Sequence, residues 1–405
     1  MSHLYNREID FIAPRKDSFG RLRVSNPVTL FDAFNRYVEN DKFHTANSAT
    51  GSTYTFNANT SMLAMDVGTT SGNYVYRETK RVFAYQPGKS LLIMNTFVMN
   101  PGKTGLRQRI GYFGVENGIF LELNGTTLNI VKRTNISNVP TDIPVDRNNW
   151  NYDKLDGNGP SGKNLDITKA QIFWTDVEWL GVGSVRCGFV IDGEFCLCHT
   201  FQHANILAST YMTTACLPIR YEIENTAGTA SNSTLQQICS TVISEGGYQI
   251  SGRPRSVGHN ANTPYSMTTA GVYYPLAAIR LKANRQDCIV TPKSFSFLGV
   301  SSANYRIRLL KDVTLTGGNW VDYGAFSNIE YNLDATSFTG GIEFASAYVS
   351  TTNQGTGSIN QAPDLFSYQL ERNSFTSTSS IFLLAVSSSA ATSQGLAAID
   401  WQEIT

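Results

Sequence analysis

The chain has 405 residues, 41% of them hydrophobic and only 16% charged, and its 32 basic residues balance its 32 acidic ones. That length suggests two or three domains with packed cores, and zero net charge provides no field to draw nucleic acid or an anionic membrane. No apolar run is long enough to span a bilayer, and the opening MSHLYNREIDF has no apolar stretch of signal type, so synthesis and folding in a cytoplasm are expected.

Residues 1–85 read as an extended N-terminal anchoring arm. Within FGRLRVSNPVTLFD, Arg21 and Arg23 alternate with Leu22 and Val24, an amphipathic extended strip. Two basic residues are too few for a nucleic-acid groove. The strip is expected to add as an edge strand to a neighbouring chain or to the first sandwich. Leu30, Phe31 and Phe34 are expected to bury on one side of a short helical turn beginning near Thr29. The polar stretch 47–73 is too poor in large apolar groups to fold alone and should lie across another surface. Strand-like pieces at 53–56 and 74–79 are expected to pair with the sheet that follows.

Residues 86–250 read as a β-sandwich of lectin-like or jelly-roll type. The run 90–99 is nearly continuously apolar, and Asn117-Gly118 and Asn124-Gly125 punctuate short strands at 108–113, 119–123 and 127–132. A polar excursion over 134–163 precedes the clearest segment, 165–201. There Phe173, Thr175, Val177 and Trp179 alternate with Ile172, Trp174, Asp176 and Glu178, the period-two pattern of a half-buried strand. Strands 185–191 and 194–201 meet across Asp192-Gly193, a strong hairpin signal because a type I′ turn needs φ > 0 twice. Strands at 219–224 and 236–244 complete this unit. Residues 251–405 carry seven or eight further strand patterns, among them 364–371, and read as a second, smaller sandwich. The fold class is therefore all-β: two antiparallel sandwiches behind an extended arm.

Counting outward from Asp192-Gly193 places Cys187 opposite Cys198, about 5.5 Å apart at Cα. Cytoplasmic folding argues that these are reduced, packed thiols. Cys196, Cys198, His199 and His203 lie close in sequence, but a strand turns the two thiols away from His199. A zinc site needs four converging ligands, so no metal and no cofactor is expected. Asp176 and Glu178 share a strand face, about 7 Å apart, and sandwich glycosidases do place carboxylates this way. Trp174 stands where a further carboxylate would be needed, so no catalytic residue is assigned. Trp174, Asp176 and Glu178 remain the candidates for contact with a glycan. Trp174, Trp179 and Tyr112 could build a stacking platform, although alternation points the two tryptophans apart.

The motif FGRLRVSNPVTLFD, the meander GYFGVENGIFLELNGTTLNIVKRT and the segment LDGNGPSGKNLDITKAQIFWTDVEWLGVGSVRCGFVIDGEF resemble a virion structural protein family. That family occurs in tailed bacteriophages, especially those of cyanobacteria and other marine hosts. The C-terminal region, with IRLK, VTPKSFSFL, YRIRLL, DLFSYQLER and DWQE, is similar to the second half of the same proteins. The resemblance implies a non-enzymatic virion component, made in the host cytoplasm and released with the particle. It would be a homo-oligomeric tail, baseplate or fibre-associated subunit bound to other virion proteins through Arg21, Leu22, Arg23, Val24, Leu30, Phe31 and Phe34. A capsid-surface decoration protein, or a carbohydrate-binding module touching host surface glycans, is the alternative. Neither nucleic acid nor membrane insertion is expected.

Overall fold

Alternating apolar residues and turn glycines resolve into antiparallel strands throughout the chain. The computed structural model describes residues 26–249, 252–351 and 368–404. The chain divides into two compact units between Gln249 and Ile250. Among the described residues the only helical element is a single 3-10 turn, Arg147–Asn149.

In the first unit, β1 (Val28–Phe34), β2 (Phe43–Asn47), β3 (Ser52–Asn57), β4 (Met62–Val67) and β5 (Tyr74–Thr79) come from the N-terminal segment. Next come β6 (Phe83–Ala84), β7 (Ser90–Val98) and a meander of β8 (Leu106–Phe113), β9 (Gly118–Asn124), β10 (Thr127–Thr134) and β11 (Thr141–Asp146). β12 (Gln171–Val177), β13 (Val185–Ile191) and β14 (Glu194–Phe201) precede β15 (Cys216–Leu217), β16 (Ile219–Asn225) and β17 (Ser233–Glu245). One sheet runs β14-β13-β12-β7-β17-β4-β3, with β1 also paired to β17; the other runs β11-β10-β9-β8-β16-β5-β2. Ile93, Phe97, Phe173 and Phe189 from the first sheet share one core with Ile110, Leu121, Ile130 and Tyr221 from the second.

The N-terminal segment is therefore part of this sandwich from residue 28 onward, so the described residues of the expected arm do not stand apart as a separate unit. The stretch 47–73 is poor in apolar groups, yet Leu63, Met65 and Val67 alternate into the core from β4. Three such side chains, each worth about 1.5–3 kcal/mol when buried, suffice to hold β4 on β17. The expected helical turn at Thr29 is a strand, with a bulge between Thr29 and Phe31 where it pairs with β17. A strand sends Phe31 and Phe34 to opposite faces. Phe31 packs against Phe43 and Phe83 at 6.0 and 4.9 Å between ring centroids, whereas Phe34 is 57% exposed.

The Asp192-Gly193 hairpin forms as its dipeptide dictates, with φ of 53° and 77° and Ile191 opposite Glu194. Further out the register departs from simple counting. A bulge between Cys187 and Gly188 leaves Cys187 opposite His199, so Cys198 is not its cross-strand partner. All six cysteines are free.

In the second unit, β18 (Arg253–Gly258), β19 (Tyr265–Met267), β20 (Tyr273–Leu281), β21 (Ile289–Gly299) and β22 (Asn304–Thr316) come first. β23 (Val321–Asp322), β24 (Ile329–Asn332), β25 (Ser337–Ser350), β26 (Arg372–Asn373), β27 (Thr378–Ser379), β28 (Ile381–Ser388) and β29 (Ser393–Ile404) follow. A four-stranded sheet centred on β29 faces the six-stranded sheet β23-β24-β20-β28-β22-β25. Phe295, Phe297 and Trp401 meet Ile307, Leu384 and Val386 in its core. The expected strand at 364–371 is absent over 368–371, and its remainder lies outside the described residues.

Gly188 shows how tightly the first unit is packed. It lies opposite Trp174, and a Cβ there would stand 2.0 Å from the Cys196 carbonyl oxygen and 2.8 Å from the Trp174 ring. We predict that Gly188→Ala destabilises the first sandwich by about 3 kcal/mol or more, at or above the upper end of ordinary overpacking. Chemical denaturation followed by tryptophan fluorescence measures this. A shift below about 0.5 kcal/mol, typical of open surface sites, would contradict the packing.

Candidate functional site

Trp174 and Asp176 do share the face of β12 that points away from the core, as alternation requires, but that face is closed; Glu178 lies just past the end of β12. Trp174 is 1% exposed and both carboxylates are fully buried. The Trp174 ring lies over Gly188, meets Phe195 edge-on at 5.7 Å and donates its Nε1–H to the Phe189 carbonyl at 3.2 Å. Asp176 accepts from Arg186 directly across the strand pair. A sugar could reach none of the three without unfolding the sheet, so their assignment as glycan contacts is corrected. Tyr112 is also buried, donating to the Phe83 and Ala215 carbonyls, and Trp179 is half-buried against the core. No stacking platform remains here.

The Cys/His cluster is core as well. Cys187, Cys196 and Cys198 pack with Phe189 and Phe201, and burial pushes the Cys187 and Cys198 thiols far up. His199 is buried against Phe201 at 4.6 Å. His203 turns away from the thiols, toward the Gly183 carbonyl and Lys132. Among the described residues no group of three or more His, Cys, Asp or Glu converges as metal ligands.

The outer face of the seven-stranded sheet carries the largest concentration of charge. Arg109 on β8 reaches Glu122 on β9 at 2.7 Å, Asp142 on β11 at 3.2 Å and Glu222 on β16 at 3.4 Å. Arg133 pairs with Asp142 at 2.7 Å, and Arg220 with Glu78 and Glu222 at 2.6 Å each. Burial alone would raise the Glu222 carboxyl, but the Arg220 and Arg109 guanidinium groups hold it below the usual range. The guanidinium groups also cover Phe113 and Phe120, with Arg133 at 5.8 and 5.1 Å from the two rings. These carboxylates are occupied as counter-ions, which is a structural use of charge.

The proposed anchor divides. Arg21, Leu22, Arg23 and Val24 lie outside the described residues. Phe31 belongs to the core, Leu30 is half-buried against it, and Phe34 faces out. Sequence reasoning missed the turn that follows, 35–42. Tyr37 is 79% and Val38 72% exposed. The turn is nonetheless tied down on either side of them. Arg77, buried on β5, donates to Glu39 at 3.2 Å, Thr45 at 2.6 Å and the Asn40 carbonyl at 3.0 Å. Asn35 donates to the Ile238 carbonyl at 3.3 Å and accepts from the Asn40 N–H at 2.9 Å. Asn40 and Lys42 in turn donate to the Phe34 and Asp32 carbonyls of β1. The available signal was FNRYVEND: two large apolar residues set among Asn, Arg, Glu and Asp, where a turn has no core to bury them.

No protein-family model and no curated protein matches the chain. Among solved structures, a protein of unknown function from Shewanella oneidensis MR-1 is 9% identical, covering 55% of this chain and 90% of its own, with a TM-score of 0.36. Arcelin-5, a lectin-like defense protein from Phaseolus vulgaris, is 8% identical over 54% of this chain and 99% of its own, with a TM-score of 0.32. The CBM2 module of the evolved Dit of Lactobacillus casei BL23 phage J-1 is 7% identical over 55% of this chain and 99% of its own, with a TM-score of 0.36. Likenesses this distant say nothing about what the chain binds.

Asp176 is a buried counter-ion of Arg186, and removing it deletes that ion pair from a closed face. Breaking a buried pair in this way costs about 3–5 kcal/mol. Asp176→Ala is therefore expected to lower the unfolding free energy of the first sandwich by roughly that amount, measured by denaturant titration. A change of a few tenths of a kcal/mol would instead mark Asp176 as an exposed site.

Proposed function

We propose that the chain is a non-enzymatic structural subunit of a tailed-phage virion, a homo-oligomeric tail, baseplate or fibre-associated component that seats on other virion proteins. The observation that carries this reading is the turn 35–42, which presents Phe34, Tyr37 and Val38 outward while Arg77 grips the Glu39 side chain and the Asn40 carbonyl beside them. Apolar side chains exposed on a preordered turn are suited to docking, because little ordering entropy remains to be lost on binding. Burying such side chains gives about 1.5–3 kcal/mol each, before the cost of association is subtracted. The turn also follows directly on the motif FGRLRVSNPVTLFD, so the residues that carry the resemblance lead into the exposed patch. Closure of the Trp174 face and engagement of the buried carboxylates in ion pairs both favour assembly over the alternative of a glycan-binding module on that face.

The double variant Tyr37→Ser, Val38→Ser is expected to fold with an unchanged melting temperature yet to enter particles at least tenfold less than the parent chain. Quantitative mass spectrometry of purified virions from a complemented infection measures this. Normal incorporation of the variant, or absence of the parent protein from purified virions, would refute the assembly reading.

A further inference from the structure

Lys132 stands apart from the other buried cations of the first sandwich. Arg109, Arg186 and Arg220 each meet a carboxylate. Lys132 projects from β10 on the core side, is buried, and is hydrogen-bonded to His203 Nε2 at 3.1 Å. Its other close neighbours are the faces of Phe201 and Tyr211, 5.5 and 5.9 Å from Nζ. No carboxylate of the described residues forms an ion pair with it.

Hydrogen-bond chemistry fixes how many protons this pair holds. A carbonyl only accepts, so His203 Nδ1, 2.6 Å from the Gly183 oxygen, must carry a hydrogen. Nε2 then offers its lone pair to the Lys132 ammonium, and the pair carries one positive charge. A second proton would put imidazolium against ammonium in a site whose walls are aromatic: the His203 ring stacks on Tyr211 at 3.8 Å between centroids, 7° from parallel. The remaining titratable groups nearby are His199 beyond Phe201, and Tyr85, Cys187 and Glu178, which act on Tyr211. None of these neutralises an added proton on His203. Burial pushes the imidazole down to about 4; the Gly183 contact opposes that and the Lys132 charge adds to it.

His203 belongs to segment 202–215, in which it is the one residue that titrates in mild acid. The segment closes onto the sandwich through Tyr211 N–H to the Gly181 carbonyl at 2.9 Å, Trp179 Nε1–H to the Met212 carbonyl at 3.3 Å and Thr213 N–H to Asn117 Oδ1 at 3.1 Å. We propose that Lys132 and His203 form a proton-gated latch, which keeps segment 202–215 closed while it holds one proton charge and loosens it when acid supplies a second.

The sign follows from linkage. A histidine held neutral in the closed state but free to titrate near its ordinary value of about 6.5 in the open state favours opening as pH falls. The opening equilibrium should rise by up to about tenfold for each pH unit below ~6.5, levelling off near 4. Hydrogen-exchange protection of the Tyr211 amide in the full chain, corrected for intrinsic exchange, reads this directly. Protection should fall with acid in the parent and in His199→Gln, and stay flat in His203→Gln. Nitrogen-15 NMR of the parent alone should show neutral His203 with the hydrogen on Nδ1 down to about pH 5. An Nε2–H tautomer, titration at the ordinary value, acid-independent protection in the parent, or an equal fall in His203→Gln would each overturn the latch.

Discussion

The constraint on which the first sandwich depends is charge placed directly across strand pairs. Arg109 faces Glu122 on one side and Glu222 on the other, in register. Arg220 faces Glu78, Arg133 faces Asp142 and Arg186 faces Asp176, again in register. Side chains alternate along a strand, so a slip of one residue would swing each charge into the apolar core and leave its partner unpaired. Buried ion pairs add little net stability, because desolvation consumes most of the Coulombic gain. What they impose here is a single alignment of long strands that hydrophobic alternation alone would define only to within two residues. The same device recurs in the second unit, where Arg280 faces Glu330 at 2.8 Å.

That device also explains what was legible in the sequence and what was not. Strand β7 announces itself by a continuous apolar run, and β8 to β10 and β12 to β14 by alternation and by Asn-Gly or Asp-Gly turns, because those signals are local. The face on which Asp176 sits was equally legible. Its closure was not, since burial of a sheet's second face depends on a strand-to-strand partner, Arg186, and on a ring laid across Gly188. The bulge at Cys187 was invisible for a similar reason: a bulge has no compositional signature when neither residue needs φ > 0. At β1, spacing of Leu30, Phe31 and Phe34 fits one side of a helical turn, but pairing with β17 outweighs so short a helical pattern. Strand β11 was hidden inside a polar excursion because it lies at the sheet edge and needs only one apolar row.

The N-terminal region shows how stability and exposure are apportioned within a few residues. Phe31 and Ala33 secure β1 to the core, while the alternate positions Asp32 and Phe34 face outward. Lys42 and Asn40 then occupy the carbonyls of Asp32 and Phe34. Edge strands with open backbone groups invite unselective pairing; here the following turn supplies donors to those carbonyls. A partner seated on this region, as proposed, would therefore be read by side chains, which discriminate far better than a ladder of amides does.

A chain with so few charges, many of them spent in pairs on sheet faces, has limited means to attract a partner electrostatically. Long-range steering requires an excess of one sign, and the basic and acidic totals cancel. Contacts made by Phe34, Tyr37 and Val38 would therefore depend weakly on ionic strength and strongly on shape, since apolar burial is insensitive to screening. Lys132 is the exception that sharpens the point. Among the described residues of this sandwich it is a buried cation with no carboxylate ion pair, and it meets the His203 imidazole instead. Charge in this sandwich thus serves alignment where it is paired across strands, and in the proposed latch it would answer to protons at Lys132 and His203.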